Sequence, residues 1–380
     1  MFASFVGGGL PIGMLTLAVL LLVRLQSGSL LGAGIMAAAL TAGNAVGVAV
    51  QGAMIDRLGQ ARVLVPASLT CLLSLVGMVL AVGRQAPPLL SAALSLLGGA
   101  AIPATPSSMR VLWTVLVAEP EQRLTAYALS AVSFTGATII GPLVVSGLLL
   151  AGGPQLAVLV AASLAGGGGL FFALTPTSRR WAPAVPVGPR PPRGWRGPGM
   201  RTLVVGNAGL GLAAGLVGVA LPAAAIVLGA AALAGVFSAA GAFGDFCGGF
   251  IYGSRAWRAP LPSRLVAAQC GSAGTGVCLA LASGTIVGMA VVMPLSGAAG
   301  AVQGVTATTL LDDVAEPGAL TGSYAMLVGG GLVGSALGYL AGGLLVPATG
   351  VRAVFFISSA IGLAVAAWYA RRVRTFKSSS

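Results

Sequence analysis

Few side chains in this sequence can carry acid–base chemistry, and one of them stands apart. The acids are Asp56, Glu119, Glu121, Asp245, Asp312, Asp313 and Glu316. Six lie in or beside short polar breaks between apolar runs, where solvated charge is the expectation. Asp245 alone lies inside a run, residues 229–252. No run holds two carboxylates. There is no histidine, so histidine proton relays, histidine metal sites and Ser-His-Asp or Cys-His arrangements are excluded. Cys71, Cys247, Cys270 and Cys278 fall within apolar runs, without metal-ligand spacing or a disulfide framework, and are expected to be buried thiols. The Gly166–Gly169 stretch lacks the Gly-Lys-Ser/Thr ending of a phosphate loop. An enzyme is therefore not expected, and no cofactor or metal is implied.

The depth of Asp245 follows from its run. It stands eight residues before Gly253, about 12 Å at 1.5 Å per residue, near the middle of a hydrocarbon core about 30 Å thick. An ionisable group there is costly and faces a cavity or a partner. Gly241, Asp245, Gly249 and Gly253 recur every four residues, which predicts that Asp245 faces protein and not lipid. Two roles remain open for it. It is a proton-coupling carboxyl, or a buried structural acid bonded to Thr135 or Thr138.

The elements around it read as membrane spans. Hydrophobic residues make up 57% of the chain and charged residues 7%, against about 25% charged in soluble domains. The net charge of +13 is no nucleic-acid footprint, because the arginines sit in the breaks and no face interleaves them with aromatics. Twelve apolar runs are long enough to cross a bilayer. They lie near 2–23, 30–55, 63–83, 89–109, 124–150, 155–175, 202–223, 229–252, 264–282, 286–310, 320–346 and 353–370, and are called spans 1 to 12. Met1–Val23 has no basic leader and no small-residue cleavage site before Arg24, so it is read as span 1. Alternate connections hold 17 basic residues on one side and only Arg24, Arg84 and Arg352 on the other. The basic side is cytoplasmic, which places both termini there.

A shift of 197 residues lays the second half on the first. Gly47 and Gly52 fall on Gly244 and Gly249, Tyr127-Ala128 on Tyr324-Ala325, Gly141 on Gly338, and Gly153 on Gly350. The divide is a segment rich in proline and arginine, 176–200, which is not expected to be helical. Its arginines can lie on anionic lipid. The expected organisation is a six-helix half at 1–175, a cytoplasmic linker at 176–200, a six-helix half at 201–370 and a tail at 371–380.

The loop between spans 2 and 3 is the most specific signal. It reads Gly52-x-x-x-Asp56-Arg57-x-Gly59-x-x-Arg62. In residue type, spacing and location it resembles the signature loop of major facilitator superfamily transporters. The corresponding second-half loop keeps Gly249, Arg255 and Arg258 but has Gly253 where the first has Asp56. Gly141-Pro142 on span 5 resembles, in part, the Gly-Pro motif of the superfamily's exporters; the paired glycines expected after it are Val145-Ser146 here.

The resemblance implies a fold and roles. The fold would be all-α, with twelve transmembrane helices in two parallel halves. Asp56 would sit at the cytoplasmic N-terminus of span 11, near Ala319–Gly322, where a helix end favours an anion. Arg57 and Arg62 would latch to Glu119 or Glu121. Spans 2 and 11, and spans 5 and 8, would meet across the halves. The glycine rows Gly330, Gly334, Gly338, Gly342 on span 11, Gly43 and Gly47 on span 2, and the row on span 8 fit such contacts, either as ordinary tight packing or as sliding surfaces. The substrate path would run along spans 1, 4, 7 and 10. Thr105, Trp113, Asn207 and Gln303 are its candidate lining, with Met14 and Met109 adding contact area.

The expectation is a secondary carrier in the plasma membrane of a high-GC bacterium. It would export a small neutral or cationic organic molecule in exchange for protons. It is expected to work as a monomer without nucleic acid. An uptake carrier or uniporter of the same fold, and a membrane sensor or partner subunit without transport, are the alternatives.

Overall fold

The computed structural model describes residues 8–117, 119–181, 197–315 and 320–376. Arg190, Arg193, Arg196, Glu316, Ala319 and Lys377, and most of the linker, lie outside the described residues.

Among the described residues, eleven helices are long and apolar enough to cross a membrane. The longest, Pro120–Leu174, is two spans in one run, because Gly153 inside it has φ 82° and ψ −179°, far from helical values. Twelve spans result: Leu10–Ser27, Leu30–Leu58, Gln60–Gly83, Pro88–Leu116, the two parts of Pro120–Leu174, Pro198–Val227, Leu233–Gly253, Leu261–Ala282, Ile286–Val314, Leu320–Thr349 and Val351–Arg371. This is an all-α, multi-pass membrane protein. The repeat-related Gly350, between spans 11 and 12, has φ 83° and ψ 162°. An L side chain rarely adopts that backbone, so both breaks call for glycine.

Two expectations about local structure need correction. Span 4 is not one helix. It is Pro88–Ala100 followed by Thr105–Leu116. Pro103 cannot continue a hydrogen-bond ladder, and Pro106 sits in the first turn of the second piece, where a missing N–H costs nothing. The freed backbone groups are met by Gln51 of span 2, which is 5% exposed. Its amide nitrogen donates to the carbonyls of Ala100 (2.9 Å) and Ile102 (2.8 Å). Its amide oxygen accepts from the Ala104 N–H at 3.1 Å. Backbone groups have no other solvent in hydrocarbon, so such plugging is obligatory. The second correction concerns the ends of the linker. Pro176–Arg180 is a short helix capped by Thr175, and span 7 already begins at Pro198. Each proline occupies a helix start, the position that tolerates it.

The chain divides into two compact units, Met1–Pro186 and Val187–Ser380. Within the first, span 1 packs on span 5, span 2 on span 4, and span 3 on span 6. Within the second, span 7 packs on span 11, span 8 on span 10, and span 9 on span 12. The two sets of pairs match under the repeat.

These pairs also correct the reading of the glycine rows. A Cβ at Gly334 or Gly338 would run into the carbonyls of Ala208 or Leu212, and Gly342 abuts Val219, so the span 11 groove is filled by span 7. Gly43 and Gly47 lie against the Leu96 and Ala100 carbonyls of span 4. On span 8 the packing stripe is Gly241, Gly244 and Gly248, against Met293, Pro294 and Ala298 of span 10. The rows on spans 11 and 2, and this stripe on span 8, serve contacts inside their own unit. Close backbone approach is how helices associate when lipid is as apolar as a leucine side chain.

The cysteines divide as well. Cys71 is buried, Cys247 is half-buried, and Cys270 and Cys278 are exposed. The last two lie on span 9 away from Gln269 and Ala273, which face Gly362 of span 12. Met14, expected near a solute path, is wholly buried in the densely packed first span.

Candidate functional site

The second unit holds a half-open cavity of about 430 Å³. Span 7 contributes Asn207, Leu210, Ala213, Ala214 and Val217 to its wall. Span 9 contributes Gln269, Ser272 and Leu279, and span 10 contributes Ser296 and Gln303. Ser335 of span 11 and Ser358 and Ser359 of span 12 complete the lining. Eight polar side chains thus converge inside an apolar bundle, and none of the lining residues is charged. Gln303 lies eleven residues before the end of its helix at Val314, about 16 Å at 1.5 Å per residue. That is near the middle of a bilayer.

Glycines make room for the polar groups. A Cβ on Gly276 would overlap the Ser359 hydroxyl. One on Gly331 would lie 2.7 Å from the Asn207 amide nitrogen, and one on Gly362 would lie 3.2 Å from that of Gln269. Some of these groups are tied to backbone. Asn207 donates to the Leu327 carbonyl at 2.7 Å, Gln269 Nε2 to the Gly362 carbonyl at 3.2 Å, and Ser358 Oγ to the Ala213 carbonyl at 3.1 Å. Three others, Gln269 Oε1, Gln303 Nε2 and Ser359 Oγ, have no hydrogen-bond partner among the described residues. Buried polar atoms are seldom left so, because desolvation is not repaid.

Of the four path candidates, the structure brings two together, Asn207 and Gln303. Thr105 and Trp113 belong to the other unit and are engaged there. Thr105 is fully buried at the break of span 4. Trp113 Nε1 donates to Ser130 Oγ at 2.9 Å, and its ring packs on a core of Ile55, Leu64, Met109 and Phe172. Sequence reasoning misses Gln269, Ser272, Ser358 and Ser359, since it does not expect spans 9 and 12 to line a path. A signal exists. Under the 197-residue shift they fall on Leu72, Leu75, Ala161 and Ala162, so polar residues stand where the first half is apolar.

Asp245 lies one position round from the packing stripe of span 8 and is exposed on the surface of its unit. The glycine row Gly241, Asp245, Gly249, Gly253 is therefore not the buried face. A Cβ on Gly253 would have open space for 4 Å around it, whereas Gly244 and Gly248 are in tight contact.

The signature loop closes around a residue the motif omits. Gln60, fully buried, donates to the Ser108 carbonyl at 3.1 Å and accepts from Ser178 Oγ at 3.1 Å. It thereby ties the start of span 3 to span 4 and to the chain after span 6. Gly59 has φ 89° and separates spans 2 and 3. Gly52 has open space around it, and Asp56 and Arg57 are exposed. Arg62 shares a recess of about 220 Å³ with Arg179, Arg180 and Trp181. Gly141 packs on the backbone of Leu10 and Gly13 of span 1, with Pro142 beside it, so the Gly-Pro pair forms the contact between spans 1 and 5. Gly338 does the same between spans 7 and 11.

No family model matches the sequence, and no curated protein matches it. Solved structures do. A nucleoside transporter, NupG, superposes with a TM-score of 0.74 at 14% identity, covering 98% of each chain. The chain has the fold of the major facilitator transporters. A bacterial homologue of the iron transporter ferroportin, in an inward-facing state, matches with a TM-score of 0.73 at 14% identity, over 97% of this chain and 96% of that one. A bacterial homologue of the human lysosomal transporter Spinster, inward-facing and occupied, matches with a TM-score of 0.71 at 15% identity, over 98% and 96%. At these identities the major facilitator likeness speaks for the fold, and each of the three is by name a transporter or a homologue of one.

Proposed function

We propose that this chain is a secondary carrier that moves a small organic molecule across a bacterial plasma membrane by alternating access, exporting it in exchange for protons. The observation that carries this reading is the neutral polar cavity at mid-depth in the second unit. A chamber lined by two glutamines, an asparagine and five serines is costly in an apolar bundle and is accounted for by a solute that visits it. The fold's likeness to named transporters, one of them a nucleoside transporter, supports the same reading.

Export and coupling rest on narrower ground. The Gly141-Pro142 pair supports export through its resemblance to the exporters' motif. Asp245 supports coupling, because it is an acid within a span and lies on the exposed surface of its unit. Asp56, Arg57 and Arg62 keep the latch role that the resemblance gives them, and the working unit is taken to be the monomer with cytoplasmic termini.

A susceptibility panel in an efflux-deficient host identifies the cargo, and proteoliposomes with an imposed pH difference test the coupling. Asp245→Asn is expected to abolish cargo movement against a gradient while counterflow exchange survives, since the amide keeps the shape. Gradient-driven transport at the wild-type level in that variant would place the coupling elsewhere. Transport indifferent to the pH difference in the unaltered protein would favour a uniporter. An inert protein would favour the sensor.

A further inference from the structure

We infer that the second-unit cavity is itself a binding site, built wholly within that unit, for an uncharged molecule that carries both hydrogen-bond donors and acceptors. The inference rests on the carrier reading and names its cargo class.

Three residues of the cavity wall, on three separate helices, each hold one buried polar atom without a partner among the described residues. Gln269 is 1% exposed, Ser359 4% and Gln303 8%, yet Gln269 Oε1, Ser359 Oγ and Gln303 Nε2 have no partner among the described residues. The Gln269 amide is oriented, because its nitrogen donates to the Gly362 carbonyl. Its free oxygen therefore asks the occupant for a donor. Gln303 offers an N–H and asks for an acceptor, and the Ser359 hydroxyl serves either way. The set fits a hydroxyl-, amide- or lactam-bearing compound.

Other occupants fit worse. Among the described residues no charged one lines the cavity, so an ionic group would lose hydration there without gaining a counter-charge. A purely apolar molecule would leave all three atoms unmet. A single trapped water can satisfy two to four groups, but about 430 Å³ far exceeds one water and falls in the lower part of the range of small-molecule sites, about 300–1,000 Å³. Leu210, Val217 and Leu279 supply an apolar wall, so the occupant has a hydrocarbon edge beside its polar one.

The test is protection of a reporter at the site. Ser359→Cys is placed in full-length protein whose Cys71, Cys247, Cys270 and Cys278 are replaced by alanine, reconstituted in liposomes and labelled with N-ethylmaleimide. Xylose, nicotinamide and uridine are the uncharged probes. Uridine 5′-monophosphate and lysine are the charged ones, and toluene is the apolar one. At least one uncharged probe is expected to slow labelling about tenfold, and Gln269→Leu with Gln303→Leu to remove that protection, since each lost partner weakens binding about tenfold or more. The inference is overturned if no uncharged probe protects, if a charged or apolar probe protects as well, or if protection survives the double substitution. Should the cysteine-free background not fold, the same probes are read by thermal unfolding of the unmodified chain, with the same outcomes decisive. Protection without transport of the protecting probe would fail the carrier reading and leave the site standing. Measured transport without protection would do the reverse.

Discussion

The two units repeat one helix-pairing scheme and fill it differently. In the first, Leu72, Leu75, Ala161 and Ala162 lie on spans 3 and 6; Leu75, Ala161 and Ala162 are fully buried in close packing. In the second, the repeat-related Gln269, Ser272, Ser358 and Ser359 line a cavity. The polar residues of the first unit go instead into holding backbone. Gln51 and Gln60 spend their amides on the break of span 4 and the start of span 3. An ancestral half that was doubled can thus be specialised by a few side chains on equivalent helices, one copy for rigidity and one for a ligand. Glycine contacts bring helices close in both units, and the interiors between them are filled differently.

The largest expected effect breaks what the units share. Gly338→Val would drive a side chain into the Leu212 carbonyl and Gly215, and overpacking of this kind costs about 1–3 kcal/mol or more. The variant is expected to yield little folded protein by size-exclusion chromatography, while Gly253→Ala, in open space, behaves as wild type. Equal behaviour of the two would mean that the span 7–span 11 contact does not set the second unit's geometry.

A smaller effect is expected where the first unit departs. Gln51→Leu leaves the Ala100 and Ile102 carbonyls and the Ala104 N–H unmet, at about 1–3 kcal/mol for each buried group. The thermal midpoint should fall by several degrees. An unchanged midpoint would show that the break is satisfied by other means.

The smallest effect has the opposite sign. Gln269→Leu and Ser359→Ala give the second unit the residues of the first. They remove two buried atoms without partners, Gln269 Oε1 and Ser359 Oγ, against the loss of one bond to the Gly362 carbonyl, so stability should stay level or rise by about 1 kcal/mol while transport is lost. A marked fall in stability would make these residues structural and erase the contrast between the units.

Much of the architecture is legible in the sequence because bilayers impose length and small-residue contacts impose spacing. Twelve spans and the Gly153–Gly350 pair can be read directly, since only glycine suits the backbone found at both. The partners of the glycine rows cannot. A run of glycines states that a backbone comes close, not which one, and Gly334 looks the same whether span 7 or span 2 lies against it. Asn207 and Gln303 stand out because polar residues in spans are few. Gln269 and Ser359 do not, because their meaning lies in a neighbour, Gly362 or Gly276, on another helix. Asp245 is legible as an acid within a span but not as to its face, since a four-residue interval drifts round a helix of 3.6 residues per turn.

The Gln51 plug bears on how this protein is made. Span 4 carries three backbone groups that hydrocarbon will not accept, and the only side chain shown to satisfy them arrives earlier in the chain, on span 2. Released alone from the insertion machinery, residues 88–116 would not be a stable transmembrane segment. The ribosome has therefore to deliver span 2 and hold it nearby until span 4 emerges, which makes biogenesis of the first unit a matter of order as well as of hydrophobicity.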